Sequence, residues 1–310
     1  MVVRMGRILA AAVALAAAMV VASCADSEQQ MAHGDCASDE LIIGSADFPE
    51  SETVATIYTE VLRINGFKVA TKFDFGNREA YLPAVRRCVI SLVPEYTGNL
   101  LRYLNKDATA TTPAEVDTAL SSALGEDLAI ATPAPGQNSD AVVVTRATAQ
   151  RWNLTTIADL APHSAEATFA AKPEFADRPG GLPGLRENYG LDISAQNFVA
   201  IADEPETVRA LTDGRVTAAD IYTTSPAIIQ NDLVVLTDPK NNFAAQNVVP
   251  LFHAAKKTDK AVAVLDAVSA ELTTAELISL NTAVSGAAKI EPKAAALAWL
   301  TARGLDTPIA

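Results

Sequence analysis

Residues 91–104 read SLVPEYTGNLLRYL. Leu92 and Val93 close an apolar run suited to a buried strand. Pro94, Glu95, Tyr96, Thr97 and Gly98 then crowd a carboxylate, a phenol and a hydroxyl into the turn that opens the next helix. Upstream, residues 41–45 form a short apolar strand. From Ser51 a helix places Val54, Ile57, Tyr58, Val61 and Leu62 on one face and closes at Asn65-Gly66. Residues 67–73 alternate as a strand, 78–87 return as a helix and 89–93 are the third strand. The order βαβαβ predicts a parallel sheet with ligands beyond the carboxyl ends of its strands, where the quoted stretch lies.

A second unit follows. Residues 141–145 read as a strand, 156–160 as a short helix and 168–171 as a strand. After the glycine- and proline-rich PEFADRPGGLPGL come a strand at 198–201, a helix through Arg209-Ala210-Leu211, and residues 218–222. From Gln246 the chain turns apolar again and ends in helices. This out-and-back path predicts an α/β protein of two lobes, the first built from 40–139 and 246–310, the second from 140–245. Two crossover segments join them, and a small-molecule cleft lies between. Thr112 to Glu115 and Thr273 to Glu276 have capping-box spacing and mark helix starts.

The amino terminus sets the compartment. Arg4 and Arg7 precede an apolar run from residue 8 to 22, too short for a comfortable membrane span, which ends in Val21-Ala22-Ser23-Cys24. Residues 1–23 resemble a bacterial lipoprotein signal peptide, which implies cleavage before Cys24 and acylation of its thiol. Residues 24–39 then form a lipidated flexible tether, poor in apolar side chains. The formal charge of the whole chain is −13, and losing Arg4 and Arg7 with no acid takes it to −15. So acidic a body argues against nucleic acid and against electrostatic docking on anionic lipid. With Cys24 committed to lipid, Cys36 and Cys88 remain as a pair in an oxidising compartment. They read as a disulfide, the alternative being two separately buried thiols.

Five segments, IIGSADFPESETVATIYTEVL, LVPEYTGNLL, PEFADRPGGLPGLRENYG, AADIYTTSPAI and DPKNNFAAQNVVPL, together resemble the osmoprotectant-binding proteins of ABC importers, the glycine betaine, choline and carnitine group. The resemblance runs from about residue 40 to the end. It implies a type II periplasmic-binding-protein fold that closes on its solute and delivers it to a membrane permease, acting as a monomer held to the membrane by its lipid, without cofactor, metal or catalysis. Such proteins hold trimethylammonium groups by cation–π contact with tyrosine faces and carboxylates with an arginine fork. Carried over, the family's first-lobe tyrosine falls on Tyr96 with Asn99 as its polar neighbour, the second-lobe arginine and glutamate on Arg178 and Glu174, and the second-lobe tyrosine on Tyr222. Two further ring positions fall on Asp140, in the segment that also carries Asn138, and on Gln246. Half of the four-ring box is thus replaced by polar groups, and Ala46 stands where many relatives have lysine. A hydroxylated solute such as a polyol or phenolic compound competes with a betaine on this reading.

Plainer roles stand beside these. Tyr96 also fits a core position with a satisfied hydroxyl, and Arg178 with Glu174 or Asp177 fits a surface ion pair. Tyr58, Tyr81 and Tyr103 lie at helical spacing and read as packing, as do Trp152 and Trp299. His33, His163 and His253 share no ligand spacing. Phosphate loops, nucleophile elbows and paired catalytic carboxylates are absent as motifs. A secreted enzyme or a surface sensor on the same scaffold remain as other classes of function.

Overall fold

The computed structural model describes residues 33–286 and 288–309. The expected leader, Cys24 and the first part of the tether lie outside the described residues. Two five-stranded sheets organise the chain. The first contains β1 (Glu40–Gly44), β2 (Lys68–Lys72), β3 (Leu92–Tyr96), β4 (Leu128–Ile130) and, from the carboxyl-terminal part, β10 (Val248–His253), in the order β2-β1-β3-β10-β4. The second contains β5 (Val142–Thr145), β6 (Phe169–Ala171), β7 (Phe198–Ala200), β8 (Ala218–Asp220) and β9 (Leu233–Val235), in the order β7-β6-β8-β5-β9. In each sheet four strands share one direction, while the strand that follows a crossing segment, β10 or β5, is antiparallel to both neighbours. The sheets are therefore mixed, not parallel throughout as the βαβαβ pattern predicts. Only the consecutive strands carry that pattern, and a strand arriving from far along the chain has no crossover to fix its direction.

Helix α1 (Pro49–Ile64) follows β1 and is buried along most of its length. Its apolar residues Ile57, Tyr58 and Leu62 pack with Leu265, Trp299 and Leu300 in one core cluster. The buried threonines Thr53, Thr56 and Thr59 are tolerated there because each hydroxyl donates to the carbonyl four residues back, at 2.7–2.8 Å. Proline at the start and Glu50 and Glu52 in the first turn suit the positive helix terminus. Gly66, at φ +82°, turns the chain out after Asn65. On the other sheet face, Leu82 and Val85 of α2 (Arg78–Arg86), Leu100 of α3 (Thr97–Leu104) and Val116 and Leu120 of the next helix form a second cluster.

The two crossings lie side by side. Gln137 and Asn247 form an isolated antiparallel bridge, Asn138 N donates to Gln246 O at 3.1 Å, and Val248 N donates to Gly136 O at 3.0 Å. This short ribbon links the sheets and carries Asn138, Asp140 and Gln246. Cys36 and Cys88 form a disulfide with Cα atoms 5.6 Å apart, fixing the segment before β1 to the turn after α2.

Candidate functional site

The quoted stretch behaves differently from a turn. β3 runs through Tyr96 and α3 begins at Thr97, so Pro94, Glu95 and Tyr96 are strand residues. Pro94 sits opposite Pro250 of β10. A facing antiparallel pair that exchanges hydrogen bonds needs both N–H groups, so two prolines fit the non-bonded type of pair. Glu95 is fully buried and spent on structure. It receives Arg78 Nε at 2.7 Å and Nη2 at 2.9 Å, the Tyr81 hydroxyl at 2.7 Å and the Tyr96 amide at 2.8 Å.

Around Tyr96 the first lobe builds a polar knot on Glu50, at the start of α1. Oε1 of Glu50 accepts from the Tyr96 hydroxyl at 2.6 Å and from Asn138 Nδ2 at 2.8 Å. Its Oε2 accepts from Asn281 Nδ2 at 2.5 Å, and the same amide reaches Thr224 O, in the segment after β8, at 3.2 Å. Burial, followed by the Glu50 charge, pushes the Tyr96 phenol well above its ordinary range. Only 8% of Tyr96 is exposed, so its ring offers a solute little face. Gln246 is also turned inward: its Oε1 accepts from Asn99 N at 3.0 Å, anchoring the first turn of α3. Arg102, further along α3, reaches the other lobe, since a Cβ built on Gly180 would lie 2.9 Å from its Nη1.

The second lobe supplies a cluster of charges where β5 and β8 begin and end. Asp140 precedes β5 and Asp220 closes β8. Burial raises both carboxyls above the usual carboxylate range; Asp220 is raised further by Asp140, while Arg178, Lys172 and Arg102 oppose the rise at Asp140. Lys172 Nζ donates to the Tyr222 hydroxyl at 3.2 Å and stands 5.1 Å from the centroid of that ring. Burial, then the charges of Asp140 and Asp220, raises the Tyr222 phenol. Arg178 and Glu174 pair at 3.3 Å, each side chain 47% exposed. Glu204 lies nearby, raised by burial and moderated by hydrogen bonding to Ser225.

The eight candidate residues fall into three groups. Tyr96 and Asn138 meet on Glu50; Asn99 and Gln246 meet each other; Asp140, Glu174, Arg178 and Tyr222 share the second-lobe cluster. Sequence reasoning missed Glu50, Arg102, Lys172, Glu204, Asp220 and Asn281. Asp220 was within reach, as an acid in the apolar setting AADIY. Asn281, in a carboxyl-terminal helix, carries no such signal. His253, distant in sequence, places its ring nitrogens 3.6 and 3.8 Å from Cys36 Sγ. Together with Cys88 it makes the one His/Cys/Asp/Glu grouping among the described residues compact enough for a metal, yet both sulfurs are joined in the disulfide.

Comparison with known proteins agrees with this architecture. Residues 39–302 match the family model described as the substrate binding domain of ABC-type glycine betaine transport systems. The chain is 28% identical over 228 residues to the glycine betaine-binding protein YehZ of Escherichia coli K12, covering 70% of this chain and 72% of that one. The crystal structure titled as a glycine betaine/carnitine/choline ABC transporter superposes with a TM-score of 0.74 at 20% identity, covering 86% of this chain and 99% of the other. Apo YehZ from Escherichia coli superposes with a TM-score of 0.67 at 23% identity, covering 86% of this chain and all of that one. The fold is the two-lobed periplasmic-binding-protein type, and the chain belongs to the family of substrate-binding domains of ABC-type glycine betaine transport systems.

Proposed function

We propose that this chain is an extracytoplasmic lipoprotein that captures a small solute of the glycine betaine class between its two lobes and hands it to an ABC permease. Its lobes are 40–139 with 246–310, and 140–245. It acts as a monomer, is tethered through acylated Cys24, and releases its solute chemically unchanged. The family match supports the transport role, and E. coli YehZ, named as a glycine betaine-binding protein, supports the solute class. The observation that carries the reading is the reach of polar groups from both lobes into one place. Asn281 touches Glu50 and Thr224, and Arg102 of α3 meets Gly180. A solute seated there would join the two halves, as closure on a ligand requires.

Tyr96, Asn99, Asn138, Asp140, Glu174, Arg178, Tyr222 and Gln246 are the proposed binding residues. Contact through Arg178 and Tyr222 is direct, whereas Tyr96, Asn99 and Gln246 act by shaping the first-lobe wall. Calorimetric titration of the full mature chain with glycine betaine and its less methylated relatives tests the reading. Replacing Arg178 with alanine should weaken the best solute by roughly 1–3 kcal/mol, the range for a lost charged hydrogen bond. An unchanged affinity would remove Arg178 from the site. Labelling cells with a fatty-acid analogue tests the anchor, since a Cys24→Ala chain should take up no label.

A further inference from the structure

We propose that, within this solute class, the cleft selects ammonium groups that keep at least one N–H, and that Asp220 is the acceptor that reads it, with Asp140, two residues before its strand partner Val142, beside it. This rests on the solute-binding role proposed above and concerns which member of the class is preferred.

Three observations point the same way. The first is hydrogen-bond supply. Oδ1 of Asp220, of Asn138 and of Asn281 are closed off from solvent without a partner among the described residues, and all three are acceptors. A buried acceptor left unpaired costs free energy, and a donor-bearing solute removes that cost. A trimethylammonium group has no N–H to give.

The second is the state of the rings. A quaternary cation needs open aromatic faces. Here the Tyr222 ring already has Lys172 Nζ 5.1 Å from its centroid, so a protein cation competes for that ring, and Tyr96 is nearly closed with its hydroxyl committed to Glu50.

The third is charge. Arg102, Lys172 and Arg178 face Asp140, Asp220, Glu174 and Glu204 across the second-lobe cluster. The acids outnumber the cations, which favours a solute that presents an ammonium end to them over a neutral polyol. Burial raises Asp140 and Asp220 together, so without solute the pair retains a proton more readily than ordinary carboxyls do. A cationic N–H donor takes that proton's place and releases it.

The test is a methylation series on the full mature chain: glycine betaine, N,N-dimethylglycine and sarcosine, titrated calorimetrically in two buffers of different ionisation enthalpy. We expect at least tenfold tighter binding of dimethylglycine than of glycine betaine, with net proton release for the former. In Asp220→Asn, and separately in Asp140→Asn should the first variant fold poorly, the dimethylglycine-to-betaine affinity ratio should fall towards one. Tightest binding of glycine betaine overturns the inference while sparing the solute-binding role. A ratio that survives in both variants overturns the assignment to these two aspartates. Binding of none of the three solutes overturns the underlying function and this inference with it.

Discussion

Replacing Glu95 with glutamine tests whether the carboxylate of the PEYTG segment is structural. Glu95 is fully buried and takes four donors, two of them from the Arg78 fork. Glutamine keeps one acceptor oxygen, but its amide then faces Arg78 Nη2 and the Tyr96 N–H in one orientation or Arg78 Nε in the other, donor against donor, and the guanidinium loses its counter-charge. Burial works most strongly against the charged form of Arg78, and the Glu95 charge, the neighbouring Tyr81 and the Glu95 hydrogen bonds together more than offset it. Breaking a buried pair by changing one partner costs 3–5 kcal/mol, and because the Arg78 side chain is 20% exposed to water we take about 3 kcal/mol. At about 2.1 cal/mol/K per residue that corresponds to a fall in melting temperature of roughly 5 °C. Scanning calorimetry of the full mature chain measures it. A matched titration with the best-bound solute should give the same dissociation constant within about twofold. A melting temperature within about 2 °C of wild type would refute the structural reading, and a collapse of binding without loss of stability would return Glu95 to the site.

Three further outcomes follow from the same geometry. Gln246→Tyr should lose about 1–3 kcal/mol of stability by overpacking against Gly98 and freeing the Asn99 amide, with no gain in glycine betaine affinity; tighter betaine binding would mean the ring had found the cleft. Unreduced mature chain should show neither Cys36 nor Cys88 alkylated in a mass spectrum. Replacing both with serine should cost up to about 4 kcal/mol on the loop-entropy model. For pH, the Asp220 carboxyl is raised in the folded state, so the native chain holds its proton longer than the unfolded chain. Its contribution to stability is full below the unfolded pKa and is lost as pH rises through the raised folded value. Asp220→Asn should therefore flatten the decline in melting temperature above about pH 4, the ordinary aspartate value; an unaltered profile would show that Asp220 does not titrate abnormally.

Much of the fold was legible because periodicity reports burial. The helix that packs Ile57, Tyr58 and Leu62 showed its face in sequence, and Gly66 marked its end. The antiparallel direction of β10 was not legible, since its neighbours lie some 120 to 160 residues earlier and no local pattern encodes that pairing. β3 was cut short because Pro94 looks like a breaker, yet opposite Pro250 neither proline is asked for an N–H. Thr273 caps its helix by accepting from Glu276 N, but the Glu276 side chain turns away to Trp299 Nε1 and Arg303, so that spacing gave half of a capping box.

The site was less legible for a physical reason: residue type does not say whether a polar group is already spent. Glu95, Tyr96 and Gln246 are the right types at the right places, and all three have their hydrogen bonds consumed within the first lobe or the crossing ribbon. That makes the first-lobe wall stiff and leaves it little chemistry to offer. An unspent acceptor lies opposite, at Asp220 Oδ1. On the binding role proposed above, the first lobe positions the solute and the second discriminates. Glu50 links the two tasks: its carboxylate is shared by Tyr96, by Asn138 on the crossing ribbon and by Asn281, whose amide also touches Thr224. Moving the segment after β8 away from α1 must break the Asn281–Thr224 bond and disturb the amide that Glu50 holds, which on the binding role proposed above ties that carboxylate to lobe closure.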